Sequence, residues 1–220
     1  MKQLLSTIVA LAALCGASLV QAQDVKADAK AGEKKAAMCI GCHGIPFYQA
    51  SFPEVHKVPM ISGQGAKYIA AALNGYKKAE RKHPTMRSIA ASLSDQDIAD
   101  LAAFYEEQGK AVVAAQTQAA PAPGAEVAKL LEQGQCASCH GANFSTPIDG
   151  TYPKRAGQHA DYLFVALKSY QTTGNPQVGR GNAIMGGMVK PFSHAQLKEL
   201  AKYLSTLPTD LHVVPQSRFR

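Results

Sequence analysis

Two short stretches, Cys39-Ile40-Gly41-Cys42-His43 and Cys136-Ala137-Ser138-Cys139-His140, combine residue type and spacing in a way that defines a chemistry. Thiols spaced C-x-x-C reach the two vinyl groups on one edge of a porphyrin, and a histidine directly after them falls beneath the metal; this is the attachment pattern of c-type haem. Cys39, Cys42, Cys136 and Cys139 are therefore the expected attachment points of two covalent haem c groups. His43 and His140 are the expected proximal iron ligands. A four-cysteine zinc site or a pair of redox dithiols would use the same thiols, but would leave the histidine after both motifs without a role.

The sixth iron position separates an electron carrier from a catalyst. A thioether there favours ferrous iron, raises the potential and closes the metal to substrates. Met60, Met86, Met185 and Met188 are the candidates, and an internal repeat discriminates among them. Cys39, Cys42 and His43 recur at an offset of 97 residues, Pro59, Gly63, Gln64, Tyr68, Leu73 and Tyr76 at 94, and Met86, Ser94, Leu101 and Ala102 at 99. Met60 aligns with Lys154 and Met188 with Ile89, so neither is shared. Met86 and Met185 are the expected axial ligands, and Met60 and Met188 read as adaptable packing. Met188, three residues from Met185, is the fallback. His56, His83, His159 and His194 read as surface or flanking histidines; His83 stands close to Met86 but has no histidine counterpart. The paired Gly-Gln dipeptides are expected to shape the turn into each middle helix.

The elements that must position these residues read as helical throughout, with no convincing strand. Asp28 to Met38 and Val127 to Gln133 lead into the two haem motifs. Ala66 to Lys78 and Ala160 to Gln171 carry Tyr68, Tyr76, Tyr162 and Tyr170 at helical spacing. The last helix of each unit starts at a serine cap, Ser94 with Asp97 three residues on, and Ser193 with Gln196. Gly109 to Gly124, rich in alanine and ending in Ala-Pro-Ala-Pro-Gly, reads as a partly extended linker. The expected organisation is a leader over 1–22, a haem domain over 23–108, a linker over 109–124 and a second haem domain over 125–220. Each unit is small for a protein-only core, and a buried porphyrin would supply the missing apolar centre.

The leader rests on Lys2, the apolar run Leu4 to Ala17, and small residues at Val20-Gln21-Ala22 ahead of Gln23. It implies export to the periplasm, and an uncleaved anchor is the alternative. Cys15, the fifth cysteine, lies inside it, so no thiol remains for a structural disulfide. Lys and Arg number 23 against 16 Asp and Glu, a net charge of +7, and loss of Lys2 lowers it by one. The four propionates of two haems would bring this to roughly +2. With its basic residues scattered, the chain reads as no nucleic-acid binder. Docking to an acidic redox partner, or peripheral association with a membrane, fits this charge.

Several stretches resemble the cytochrome c4 family of dihaem cytochromes, built from class I cytochrome c domains: Cys-Ile-Gly-Cys-His-Gly, Cys-Ala-Ser-Cys-His-Gly, Ile61-Ser62-Gly63-Gln64, Arg155-Ala156-Gly157-Gln158 and the run from Met86 to Ile98. The resemblance covers Lys26 to Leu207. It implies an all-α fold of two tandem domains around a pseudo-twofold axis, His/Met ligation, and electron shuttling to a terminal oxidase or reductase without catalysis. The alternative is a dihaem subunit of a dehydrogenase such as a flavocytochrome; a haem enzyme or gas sensor ranks third. Two departures stand out. Ile45-Pro46-Phe47-Tyr48-Gln49-Ala50-Ser51-Phe52-Pro53 replaces a small polar loop; burial of Phe47, Tyr48 and Phe52 against the first haem is the expectation, and an interface with a dehydrogenase subunit is the alternative. Gly32, which in such folds lets the first and last helices cross closely, has no glycine counterpart near Lys129.

Overall fold

The computed structural model describes residues 25–110 and 119–215. The leader, Cys15 and residues 111–118 lie outside them. Unit one contains α1 (Ala29–Lys35), α2 (Ala37–His43), α3 (Ala66–Lys77), α4 (Pro84–Ala91) and α5 (Asp95–Lys110). Unit two contains α6 (Ala125–Gln133), α7 (Cys136–His140), α8 (Ala160–Ser169), α9 (Ala183–Val189) and α10 (His194–Ser205).

Local chemistry explains the helix starts. Asp28 caps α1, accepting from the amides of Lys30 and Ala31 at 2.8 and 3.2 Å. Ser94 and Asp97 exchange backbone and side-chain bonds before α5, and Ser193 and Gln196 form the corresponding capping box before α10. The caps at Ser94 and Ser193 are the predicted ones, and all three satisfy amides that the first turn leaves unpaired. Other expectations are corrected. The first helix breaks at Ala36 into α1 and α2. α5 continues through Gly109 and Lys110, into the stretch expected to be linker. Among the described residues four two-residue strands also form: β1 (Gln49–Ala50) pairs with β2 (His56–Lys57), and β3 (Arg81–Lys82) with β4 (Gly179–Arg180), both antiparallel. Such short strands carry no alternating pattern long enough to read.

In unit one, α1 crosses α5 at a backbone contact. A Cβ on Gly32 would lie 2.1 Å from the carbonyl oxygen of Asp100, so only glycine permits this approach. The buried Asp100 carboxylate locks the crossing, accepting from the Asp28 amide at 2.8 Å, Lys35 Nζ at 2.6 Å and Gln96 Nε2 at 2.7 Å. Ile40, Ile98 and Leu101 fill the core beside it. Unit two, without that glycine, packs Leu130 of α6 against Leu197 and Leu200 of α10.

The repeat becomes a pseudo-twofold axis. Arg81 pairs with Arg180 in the β3–β4 ladder, and these residues are equivalent at the 99-residue offset. Gln64 donates to the carbonyl of Lys154 at 3.1 Å and accepts from its amide at 2.8 Å. Gln158 does the same to Met60, at 2.8 and 3.0 Å. Gln64 and Gln158 are repeat equivalents, as are Met60 and Lys154, so each unit reads the other's backbone through the same side chain. The preceding glycines, Gly63 at φ +90° and Gly157 at φ +67°, tie each turn to the last helix of their own unit through amide bonds to the carbonyls of Tyr105 and Leu204, both 2.8 Å. The Gly-Gln pairs thus join the units as well as shaping the turns.

Candidate functional site

Each C-x-x-C-H motif opens on its own cavity. Cys39, Cys42, His43 and Met86 line one of about 360 Å³; Cys136, Cys139, His140 and Met185 line another of about 330 Å³. The near-equal volumes match the duplicated sequence. All eight predicted residues are therefore gathered, four to a cavity. Met60 also lines the first cavity, though both its backbone groups are held by Gln158. Met188 lines the second but is 41 % exposed, so it is a surface side chain as much as packing.

The histidines are fixed by the repeated prolines. His43 Nδ1 lies 2.8 Å from the carbonyl oxygen of Pro59, and His140 Nδ1 3.1 Å from that of Pro153. A carbonyl can only accept, so each Nδ1 carries the proton and each Nε2 keeps its lone pair for a metal. Burial pushes the His43 imidazole below its ordinary value. Burial, reinforced by nearby Arg155, takes His140 down to about 4. Both rings are thereby neutral, the form that binds iron.

The methionines sit on α4 and α9, two short helices that periodicity does not reveal. His83 caps α4, its Nδ1 accepting from the Met86 amide at 3.4 Å, and Asn182 caps α9, accepting from the Met185 amide at 2.9 Å. His83 is thus the counterpart of Asn182 and, of the two readings, the flanking histidine: a positioning residue beside Met86. His56 is also buried, its Nδ1 2.9 Å from the carbonyl of Glu54. His159 precedes α8 and His194 begins α10, against the ring of Phe164.

Residues between the cavities were not anticipated. Tyr68, Ala72, Arg81, Arg155 and Arg180 line both. Arg81 lies over the rings of Tyr68 and Tyr76, 5.6 and 4.9 Å from guanidinium carbon to centroid; Arg180 lies over Tyr162 and Tyr170, both at 5.6 Å. Each arginine also donates to the first tyrosine's hydroxyl, at 3.2 and 3.1 Å. The signal was present: Arg81 and Arg180 recur at the same offset as Met86 and Met185.

This cluster tests whether a haem fits. Among the described residues no ion pair involves an arginine. Arg81 Nε and Arg180 Nη1 are buried without a hydrogen-bond partner. Burial alone would raise the Tyr68 hydroxyl, yet Arg81, Arg155 and Arg180 overcome it and bring it down to about 7. Buried guanidinium nitrogens without a partner are costly unless an anion meets them. Haem propionates are such anions, so the residues present suit a haem in each cavity.

Comparison with known proteins agrees. A family model described as Cytochrome c matches residues 124–208. Cytochrome c4 of Stutzerimonas stutzeri is 31% identical over 196 residues, covering 82% of this chain and 89% of that one. A protein of Stutzerimonas stutzeri (strain A1501) named thiosulfate dehydrogenase electron acceptor is 28% identical over 215 residues, 94% of this chain and 97% of its own. The crystal structure of reduced recombinant cytochrome c4 from Pseudomonas stutzeri superposes with a TM-score of 0.59 at 26% identity, covering 83% of this chain and 100% of that chain.

Proposed function

Since the chain belongs to the cytochrome c4 family and carries two covalently bound haem c groups, we propose that it is a periplasmic one-electron carrier, not an enzyme. Bound haem supplies a ferric–ferrous couple; the chain supplies everything that tunes it. Cys39 and Cys42 attach the first group, and His43 and Met86 ligate its iron. Cys136 and Cys139 attach the second, with His140 and Met185 as ligands. The prolyl carbonyls orient the two imidazoles, and His83 and Asn182 anchor the helices that present the thioethers. With His43 and Met86 to hold one iron and His140 and Met185 the other, neither would be left open to a substrate, and the cavity walls would keep water out.

The observation that carries this reading is the gathering of a Cys-x-x-Cys-His motif and a methionine from the same repeat position at each of two matched cavities. Periplasmic location is supported by the leader at Lys2 to Ala22; among the described residues no helix is long and apolar enough to cross a membrane. Carbon monoxide added to the fully reduced protein tests the ligation. The visible spectrum is expected to stay unchanged; rapid stoichiometric binding at either haem overturns the methionine assignment there and brings a catalytic or sensing role forward.

A terminal oxidase or reductase is the acceptor expected of a free carrier. The second reading, acceptor for a dehydrogenase, is favoured by the relative named thiosulfate dehydrogenase electron acceptor, which matches over 94% of this chain.

A further inference from the structure

One buried charge at the seam has no equivalent across the pseudo-twofold axis. Arg155 stands two residues after Pro153 and two before Gly157, the equivalents of Pro59 and Gly63, so its counterpart in unit one is Ile61. That side chain is uncharged, lines the first cavity and not the second, and packs on the core of unit one. The position therefore belongs to the wall of its own unit's cavity, and in unit two that wall carries a guanidinium. Arg155 is 7% exposed and extends to the boundary that both cavities share. Its backbone is pinned within unit two. The amides of Arg155 and Ala156 donate to the carbonyl of Phe144 at 2.7 and 3.1 Å, and Phe144 lies in the core of that unit. The equivalent loop of unit one is built differently. Phe47 is 72% exposed, not buried against the haem as expected, and the Tyr48 carbonyl beside it takes the Val58 amide at 2.8 Å.

The remaining charges around the cavities do not cancel this asymmetry. Arg81 and Arg180 are repeat equivalents and line both cavities, so they act on the two sides alike. Lys154, which replaces Met60, lines the first cavity but is ion-paired with Asp210, and Glu54 there is paired with Lys168 at 2.6 Å. Lys82, also at the first, is half-buried and donates to the Asn175 carbonyl at 2.9 Å. Glu80, at the second, is exposed. Solvent and salt screen these last two more than they screen Arg155. Among the described residues the Arg155 guanidinium makes no hydrogen bond or ion pair. A charge held so deep calls for an anion, and a haem propionate is the anion that the cavity would bring to it.

From this geometry we infer that Arg155 sets the two haems apart: its charge, present on one side of the axis only, favours the ferrous state at the second haem more than at the first. A guanidinium keeps its proton at any working pH. Reduction takes one positive charge off an iron, so a nearby fixed cation disfavours the ferric form. The histidines carry the same asymmetry. Arg155 adds to burial in pushing the His140 imidazole below its ordinary value, whereas at His43 burial acts against the bond to Pro59 without any such charge. The inference rests on the dihaem carrier reading with His/Met ligation.

The test is a redox titration of the dihaem protein followed by NMR, which reads the two haems separately. Met86→Ala and Met185→Ala, each disturbing one haem, tell their signals apart. Arg155→Ile gives unit two the residue that unit one already accommodates. It is expected to lower the equilibrium constant for reduction about tenfold at the second haem, or about 59 mV for a one-electron couple, and less than about threefold at the first. Arg155→Lys keeps the charge and is expected to hold both constants within about threefold of the parent. Should Arg155→Ile fail to take up haem, Arg155→Gln makes the same comparison with a polar, uncharged side chain. Equal falls at the two haems, a larger fall at the first, or no fall at either overturns the inference. So does a fall in Arg155→Lys as large as in Arg155→Ile, which would assign the effect to packing instead of charge. Carbon monoxide binding to the reduced parent would sink the ligation and carrier reading instead, so the two failures are told apart.

Discussion

At the scale of single residues, the cysteines and histidines that line each cavity were readable because they are adjacent in sequence. That Met86 and Met185 would each reach a cavity was readable because a duplicated chain is its own comparison. What could not be read is which atoms meet. Pro59 and Pro153 stood out as repeated, but only the fold shows that their carbonyls fix the tautomers of His43 and His140. Arg81 and Arg180 recur just as clearly, and only packing shows that both face two cavities. Two predictions belong here. Met86→Ala is expected to open one iron, so that the reduced protein binds one carbon monoxide, and Met185→Ala to open the other; spectral titration counts the sites. Arg81→Gln and Arg180→Gln each remove a positive charge that favours the reduced, less positive haem. Either is expected to lower both reduction potentials, by tens of millivolts in order of magnitude, as read by spectroelectrochemistry. A shift confined to one haem would contradict the shared position of these arginines.

Among the elements, the long helices were legible where apolar spacing and a capping residue coincide, as at Ser94 and Ser193. α4 and α9 were not: they are eight and seven residues long, α4 opens on Pro84, and α9 contains Gly186 and Gly187. Their stability comes from the caps His83 and Asn182 and from packing, and not from helix propensity. The α1–α5 crossing yields a prediction in pH. Hydrogen bonds from Lys35 and Ser94 hold the Asp97 carboxyl below its ordinary value. Burial pushes Asp100 upward, but its bonds to Lys35, the Asp28 amide and Gln96 prevail and hold it low as well. A carboxylate that binds protons less readily when folded contributes its full stability above the unfolded value of about 4 and loses it as pH falls through the folded one. Asp100→Asn is expected to cost about 1–3 kcal/mol at neutral pH. The gap between variant and wild type should narrow steadily below about pH 4, as followed by denaturant unfolding. A gap independent of pH would remove the charge from this account.

For the whole molecule, the offsets of 97, 94 and 99 residues announced two copies of one unit but not how they sit together. That arrangement is held in part by four reciprocal bonds made by Gln64 and Gln158, which in the linear chain are merely residues after a glycine. The double variant Gln64→Ala, Gln158→Ala is expected to leave each unit folded and both haem spectra intact while loosening the units from each other. Calorimetry should then resolve two transitions where the parent shows one; a single unshifted transition would mean that the glutamines carry no share of the contact.

The same seam also has a meaning for how the molecule could have arisen. Its side-chain bonds to backbone and its Arg81–Arg180 pairing are contacts that separate chains would have to hold against dilution. Continuity of the chain from α5 to α6 makes the encounter intramolecular, at an effective concentration on the order of millimolar. A tethered pair can therefore keep a joint that two free copies would lose by dilution. Once tethered, the halves are free to diverge away from the axis and the two cavities, and the exposed Phe47 opposite the buried Phe144 is one place where they have done so.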